Sequence, residues 1–300
     1  MLAVLRKKFI PLCALVITLL AFVPAVRPYT ASDDPETYLL KYMKAVREYR
    51  PAPVPREQMY SKNDVIYCTG TQEAAKLNNS AAEMISVGEY GAAKTLLERG
   101  MKRAPLFFPY LYNTGLCCMH LRDTDRALIY MTKARNLLPE FSRTYLQLGY
   151  IHQMRAKDDE AIQQFRQALK VNLYELESLI LIGDIYYGRR QIMMAEKYYK
   201  ASLDMDPMYP NGLIGIAKIH YYRKEYAGAI ITLKGVGLEG DYDKSLHYYW
   251  AESAYKLQDY ATAYDHYGTL MSFKNDRFFI THARSLIQHK LNLTAKFVGK

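Results

Sequence analysis

Small and bulky apolar positions return along this chain with a period of 34 residues. Ala93, Ala127, Ala161, Ala195, Ala229 and Ala263 form one column without a slip. Four residues after each comes a bulky side chain: Leu97, Met131, Phe165, Tyr199, Leu233 or Tyr267. Twelve residues before each alanine lies a second small column of Ala81, Gly115, Gly149, Gly183, Ala217 and Ala251. Four residues earlier still is an anchor column: Leu77, Leu111, Tyr145, Leu179, Leu213 and His247. Steps of four place side chains on one helical face, so each period predicts two helices. The first carries the anchor and the small residue, the second the alanine and the bulky one. Glycine inside a helix costs ~1 kcal/mol relative to alanine, so three glycines in one register predict a close approach between the paired helices. Pro105, Pro139 and Pro207 cannot continue a helix and end the second one in three periods.

Stacked helix pairs at this period form a repeat array. Two runs follow one pattern closely: Tyr145, Leu148, Gly149, His152, Ala161, Phe165, Ala168, and then Leu179, Ile182, Gly183, Tyr186, Ala195, Tyr199, Pro207. They resemble the tetratricopeptide repeat family. The resemblance covers residues 74–277. It implies an all-α fold, a right-handed superhelical solenoid of about six helix-turn-helix repeats with a C-terminal capping helix. Leu173 and Asp241 stand where proline would fall in the third and fifth repeats, and His247 takes the sixth anchor position. Residues 276–291 predict the capping helix, with Asp276 as its N-cap and Phe279, Ala283, Leu286 and Ile287 on the covering stripe. Residues 278–300 are the cap and tail.

In that family the first helices line a concave groove. Carried onto this chain, the groove would present Tyr112, Leu116, Tyr150, Tyr187, Lys218, Tyr221 and Tyr255, flanked by Leu146, Asp184 and Glu252. Members that grip a carboxylate-ended peptide place Lys, Arg and Asn in these columns. Here the matching pairs read Asn78/Ala82, Tyr112/Leu116 and Leu146/Tyr150, so the expected occupant is an apolar segment or amphipathic helix of a protein partner. The alternative is that part of this aromatic stripe packs inside the array.

The amino terminus carries an address. Arg6, Lys7 and Lys8 precede an apolar run from Phe9 to Val26, whose stretch Leu12–Val23 is uninterrupted by proline. That pattern suits a secretory signal cleaved after Ala25, so residues 1–25 would be removed; an uncleaved anchor is the alternative. Both readings export the repeats to the periplasm or another extracytoplasmic space, the second leaving them anchored to the inner membrane. Membrane association is expected only through residues 9–26. Residues 26–73 read as an N-terminal helix over 33–50 followed by the stiff spacer Pro51-Ala52-Pro53-Val54-Pro55.

Composition narrows function mainly by exclusion. Half the residues are hydrophobic and 23% are charged, which rules against disorder. The net charge of +10 falls to +7 without Arg6, Lys7 and Lys8, and it is spread without a basic block, so no nucleic-acid partner is expected. Tyrosine is abundant, 28 against a single tryptophan, and its apolar ring with a polar tip suits partly wet contact surfaces. Adjacent Cys117 and Cys118 sit where the first helix of the second repeat needs small apolar residues, and read as core. Gly235-Val-Gly237-Leu-Glu-Gly240 matches a dinucleotide fingerprint but follows a helix rather than a strand, so it reads as a loop. His282 and His289 have no further ligand at metal spacing. No catalytic motif, metal site or cofactor is expected. Two functions remain: an exported scaffold in a cell-envelope assembly, or a periplasmic carrier of a small hydrophobic ligand working with a transporter or lipid pathway.

Overall fold

A computed structural model describes residues 59–70, 72–236, 244–273 and 282–299. The signal segment, the helix over 33–50, the proline spacer, Gly237 to Gly240, and Asp276 and Phe279 all lie outside the described residues. The described chain forms two compact units, one ending at Ser178 and the other starting at Leu179.

The first unit opens with a β-hairpin: β1 (Met59–Lys62) runs antiparallel to β2 (Val65–Cys68), pairing Met59 with Cys68 and Lys62 with Val65. Asn63 and Asp64 form its two-residue turn, both at positive φ, 49° and 65°. That backbone is the one a tight hairpin turn requires, and Asn and Asp tolerate it best among non-glycine residues. Three helix pairs follow: α1 (Glu73–Ser86) with α2 (Tyr90–Met101), α3 (Phe108–His120) with α4 (Thr124–Leu137), and α5 (Ser142–Met154) with α6 (Asp158–Val171). Each pair also packs on the next, α2 on α3 and α4 on α5.

The second unit contains the greater part of α7 (Leu176–Gly188), then α8 (Ile192–Met205), α9 (Pro210–Tyr222), α10 (Tyr226–Lys234), α11 (Lys244–Lys256), α12 (Tyr260–Ser272) and α13 (Arg284–Phe297). The described helices thus form an all-α solenoid of helix-turn-helix repeats ending in a capping helix. The hairpin is an addition that sequence analysis did not find.

The columns explain the pairing. All six alanines from Ala93 to Ala263 are fully buried. A Cβ built on Gly149 would lie 2.2 Å from the Phe165 ring, and one on Gly183 would lie 2.6 Å from the Tyr199 ring. The small column of the first helix therefore receives the bulky column of the second, within one repeat.

A further column had no signal in residue type. Gly88, Arg122, Ala156, Arg190, Lys224 and Gln258 recur every 34 residues, and all have positive φ. Each closes a first helix with the same 6→1 backbone bond, as when the Asp123 amide donates to the Cys118 carbonyl at 2.9 Å and the Lys157 amide to His152 at 2.9 Å. Only the first member is glycine. A left-handed conformation costs an L-residue roughly 1–2 kcal/mol. Replacing Ala156 by glycine should therefore stabilise the fold, by about 1 kcal/mol, measured as a rise in denaturation midpoint.

The capping helix differs from expectation in its face. It buries Ile287 and Thr294 with Leu291 partly covered, whereas Leu286 is 54% exposed. Steps of seven and four from Ile287 continue to Thr294 and Leu291, so α13, which runs on to Phe297, rotates Leu286 outward. The Arg284 guanidinium donates to the Phe273 and Met271 carbonyls at 3.0 and 2.6 Å, fixing the helix start on the end of α12.

Candidate protein-interaction site

The seven residues expected to line a groove fall into three structural situations. Tyr112 and Leu116, on α3, are buried, 0% and 4% exposed. They share a core with Val65, Ile66 and Tyr67 of the hairpin, and Phe108 and Phe141 pack around the Tyr112 ring at 5.9 and 5.6 Å. Neither presents a surface, because β2 lies against α1 and α3 and covers that face. Leu146 is likewise buried.

Tyr150 is half-buried, and its hydroxyl donates to Glu177 at 2.5 Å. Arg143 joins this corner, reaching Glu177 at 3.0 Å, Glu175 at 3.4 Å and Asp64 of the hairpin turn at 3.0 Å. Ser142 donates to the buried Glu175 at 2.8 Å. Burial, then the Glu177 charge, drives the Tyr150 phenol far above its ordinary range, so it stays a neutral donor.

The remaining residues, Tyr187, Lys218, Tyr221 and Tyr255, all belong to the second unit. Tyr187, Tyr221 and Tyr255 are half-buried and occupy one column at 34-residue spacing on α7, α9 and α11. Beside it runs a charged column at the same spacing: Asp184, Lys218, Glu252. Lys218 is nearly buried and donates to Asp184 at 2.8 Å, and Tyr199 donates to the same carboxylate oxygen at 2.5 Å. Glu252 is buried and accepts from Tyr267 at 2.8 Å, Tyr221 at 3.2 Å and Lys290 of the capping helix at 2.6 Å. The Lys290 ammonium also lies 5.6 Å from the centre of the Tyr255 ring. Lys218 thus serves as an internal tie, while the three tyrosines each remain partly exposed. Burial raises the Tyr187 phenol, and burial with the Glu252 charge raises Tyr221; both remain protonated at neutral pH.

Sequence analysis named Asp184, Lys218 and Glu252 without their pairing. Opposite charges one repeat apart were the available signal. It missed Asn79 and Asn113, also one repeat apart, which hold the hairpin.

On another part of the second unit, a cleft of about 270 Å³ is lined by Ile230, Lys234, Trp250, Asp259, Thr262, Asp265 and His266. Its lining mixes charged and apolar groups. Trp250 stacks on His266 with ring centres 4.3 Å apart, and His266 Nδ1 lies 2.9 Å from His247 Nδ1. Burial first and the neighbouring His247 second lower the His266 imidazole from 6.5 to about 4, against an opposing pull from Asp265. The folded imidazole therefore refuses a proton that the unfolded one accepts near pH 6.5. Stability from this group is complete above that pH and drains as pH falls toward 4. The expected result is a lower denaturation midpoint at pH 5 than at pH 7, reported by Trp250 fluorescence and reduced in His266→Gln.

Cys117 and Cys118 are buried thiols, pushed up to about 12 and about 11 chiefly by burial. Among the described residues, no group of three or more His, Cys, Asp or Glu is placed to hold a metal ion. Nor is any described helix long and apolar enough to cross a membrane.

Residues 85–141 and 176–208 match family models described as tetratricopeptide repeat. The chain is 28% identical over 154 residues to the human protein O-mannosyl-transferase TMTC3, an alignment covering 50% of this chain and 17% of that protein. It therefore spans less than a fifth of that relative's length. Among solved structures, Pseudomonas aeruginosa pilF superposes with a TM-score of 0.57 at 16% identity, covering 66% of this chain and 90% of that one. The APC/C hetero-tetramer Cut9–Hcn1 gives a TM-score of 0.60 at 14% identity, covering 73% and 42%. At these identities the likeness is one of fold.

Proposed function

We propose that this tetratricopeptide-repeat protein is a non-catalytic interaction scaffold whose partner seats an apolar segment or amphipathic helix on Tyr187, Tyr221 and Tyr255. The observation carrying this reading is the half-buried tyrosine column of the second unit, set beside charges that already satisfy one another. A face of that kind offers pre-positioned rings at low entropic cost and little charge to desolvate. The scaffold reading also agrees with the fold likeness to the APC/C hetero-tetramer Cut9–Hcn1, itself a multi-protein assembly.

Each such ring contributes ~2 kcal/mol or more when it is a central anchor. Tyr187→Ala with Tyr221→Ala should therefore cut partner recovery in a pull-down by well over tenfold, with little dependence on salt. Tyr221→Phe separates packing from binding, since it removes only the hydroxyl donated to Glu252. Full recovery by the folded double variant would move the site elsewhere.

The proposal extends to place. The basic start and apolar run of residues 6–26 suit export to the periplasm or another extracytoplasmic compartment, within a cell-envelope assembly. Intact mass of the native protein decides whether Ala25–Val26 is cleaved. Protease protection of the repeats in spheroplasts would defeat the export reading.

A further inference from the structure

The first unit holds an extended segment in an unusual way. Asn79 accepts from the Cys68 amide at 2.8 Å and donates to the Cys68 carbonyl at 2.7 Å. One repeat further on, Asn113 accepts from the Ile66 amide at 3.0 Å and donates to the Ile66 carbonyl at 2.8 Å. Asn78 donates to that same carbonyl at 2.9 Å while accepting from Asn113 at 2.9 Å. Two carboxamides in one repeat column thus each pair with both backbone groups of alternate strand residues, as a neighbouring β-strand would. Asn78 and Asn113 are fully buried. At the amino-terminal end of the strand, Arg143 meets the carboxylate of Asp64 at 3.0 Å.

We propose that this Asn79–Asn113–Arg143 face is a recognition site for an extended apolar segment preceded by an acidic residue, and that strand β2 is its resident, displaceable occupant. Asn79 and Asn113 bond the strand through its backbone, so they select extended conformation rather than a particular side chain. Arg143 supplies the acidic preference and the chain direction, with the segment running from α5 toward α1. The hairpin is local, four residue pairs long, and β1 is largely exposed. A two-stranded hairpin is marginal in water by itself, so β2 is ordered chiefly by the face it occupies. A segment presented by another chain would make the same bonds. The resident strand, held at high effective concentration by its short connection to α1, sets the threshold that such a segment must exceed. This face lies in a different unit from the tyrosine column and shares no residue with it.

The test uses the full chain and a fluorescent peptide copy of residues 59–70 with Cys68→Ser, read by anisotropy. Ile66→Pro in the protein removes the amide donated to Asn113 and so loosens the resident strand while leaving the asparagines intact. The variant should bind the peptide at least about tenfold more tightly than wild type. A peptide N-methylated at Ile66 should lose about tenfold, the value of one well-made hydrogen bond in this setting. A peptide carrying Asp64→Asn should weaken as well. Equal binding of the N-methylated and parent peptides, or no gain in a folded Ile66→Pro chain, would overturn the proposal.

Amide exchange of the wild-type protein provides the second readout and needs no variant. The Ile66 and Cys68 amides should exchange through a local opening, well before those of Leu116 and Cys117 in α3. Exchange of both sets at the common rate of global unfolding would make the hairpin a fixed part of the core and end the proposal.

Discussion

Glu252→Ala should destabilise the second unit by about 3–5 kcal/mol, the usual cost of breaking a buried ion pair. The carboxylate accepts from Tyr221, Tyr267 and Lys290, so its loss strands three donors at once. Lys290 keeps 20% of its side chain exposed and will recover some hydration, placing the effect toward the lower end of that range. Glu252→Gln retains acceptor oxygen but not charge, and should lose less. Trp250, the only tryptophan, lies two residues away on α11 and reports this unit in a urea titration. A loss below ~1 kcal/mol would mean that water substitutes freely for the carboxylate, as at surface pairs.

Gly149→Leu should be the most damaging single change in the first unit's repeats. Even the first carbon of the new side chain would fall 2.2 Å from Phe165, a fully buried ring. Relief requires the α5–α6 pair to spread or the ring to leave its rotamer, and overpacking of this kind costs ~1–3 kcal/mol or more. The companion Gly149→Leu with Phe165→Ala makes room in the same volume and should recover part of the loss. Recovery would show in a double-mutant cycle as a coupling term. Additive losses would mean that the small column does not serve the bulky one.

The helix pairs were readable because burial repeats: Ala161 and Phe165 face one neighbour in every repeat, so selection by packing leaves a column. The hairpin was harder to see. Asn63-Asp64 between Met59–Lys62 and Val65–Cys68 carries a turn signal, yet it occurs once, beside a proline run that drew the segment toward a spacer reading. Its presence also changed the meaning of Tyr112 and Leu116. Sequence places them on the helix face expected to line a groove, and only the strand lying over that face shows that they are core. The left-handed column was invisible for a different reason. Arg122, Arg190, Lys224 and Gln258 have no preference for positive φ, and the backbone there is imposed by helix pairing rather than by residue type.

The alternation of Asp184, Lys218 and Glu252 gives the array an order as well as a period. Helix geometry alone would allow one 34-residue module to be excised and its neighbours joined, since every repeat offers the same small and bulky columns. Removing the module that carries Lys218 would instead bring Asp184 beside Glu252, two carboxylates on adjoining helices, with the counter-charge of Asp184 gone and only Lys290 left on Glu252. Repeats of this unit are therefore interchangeable in shape but not in sequence position, and a shortened or permuted chain would need its charges rewritten before it could close.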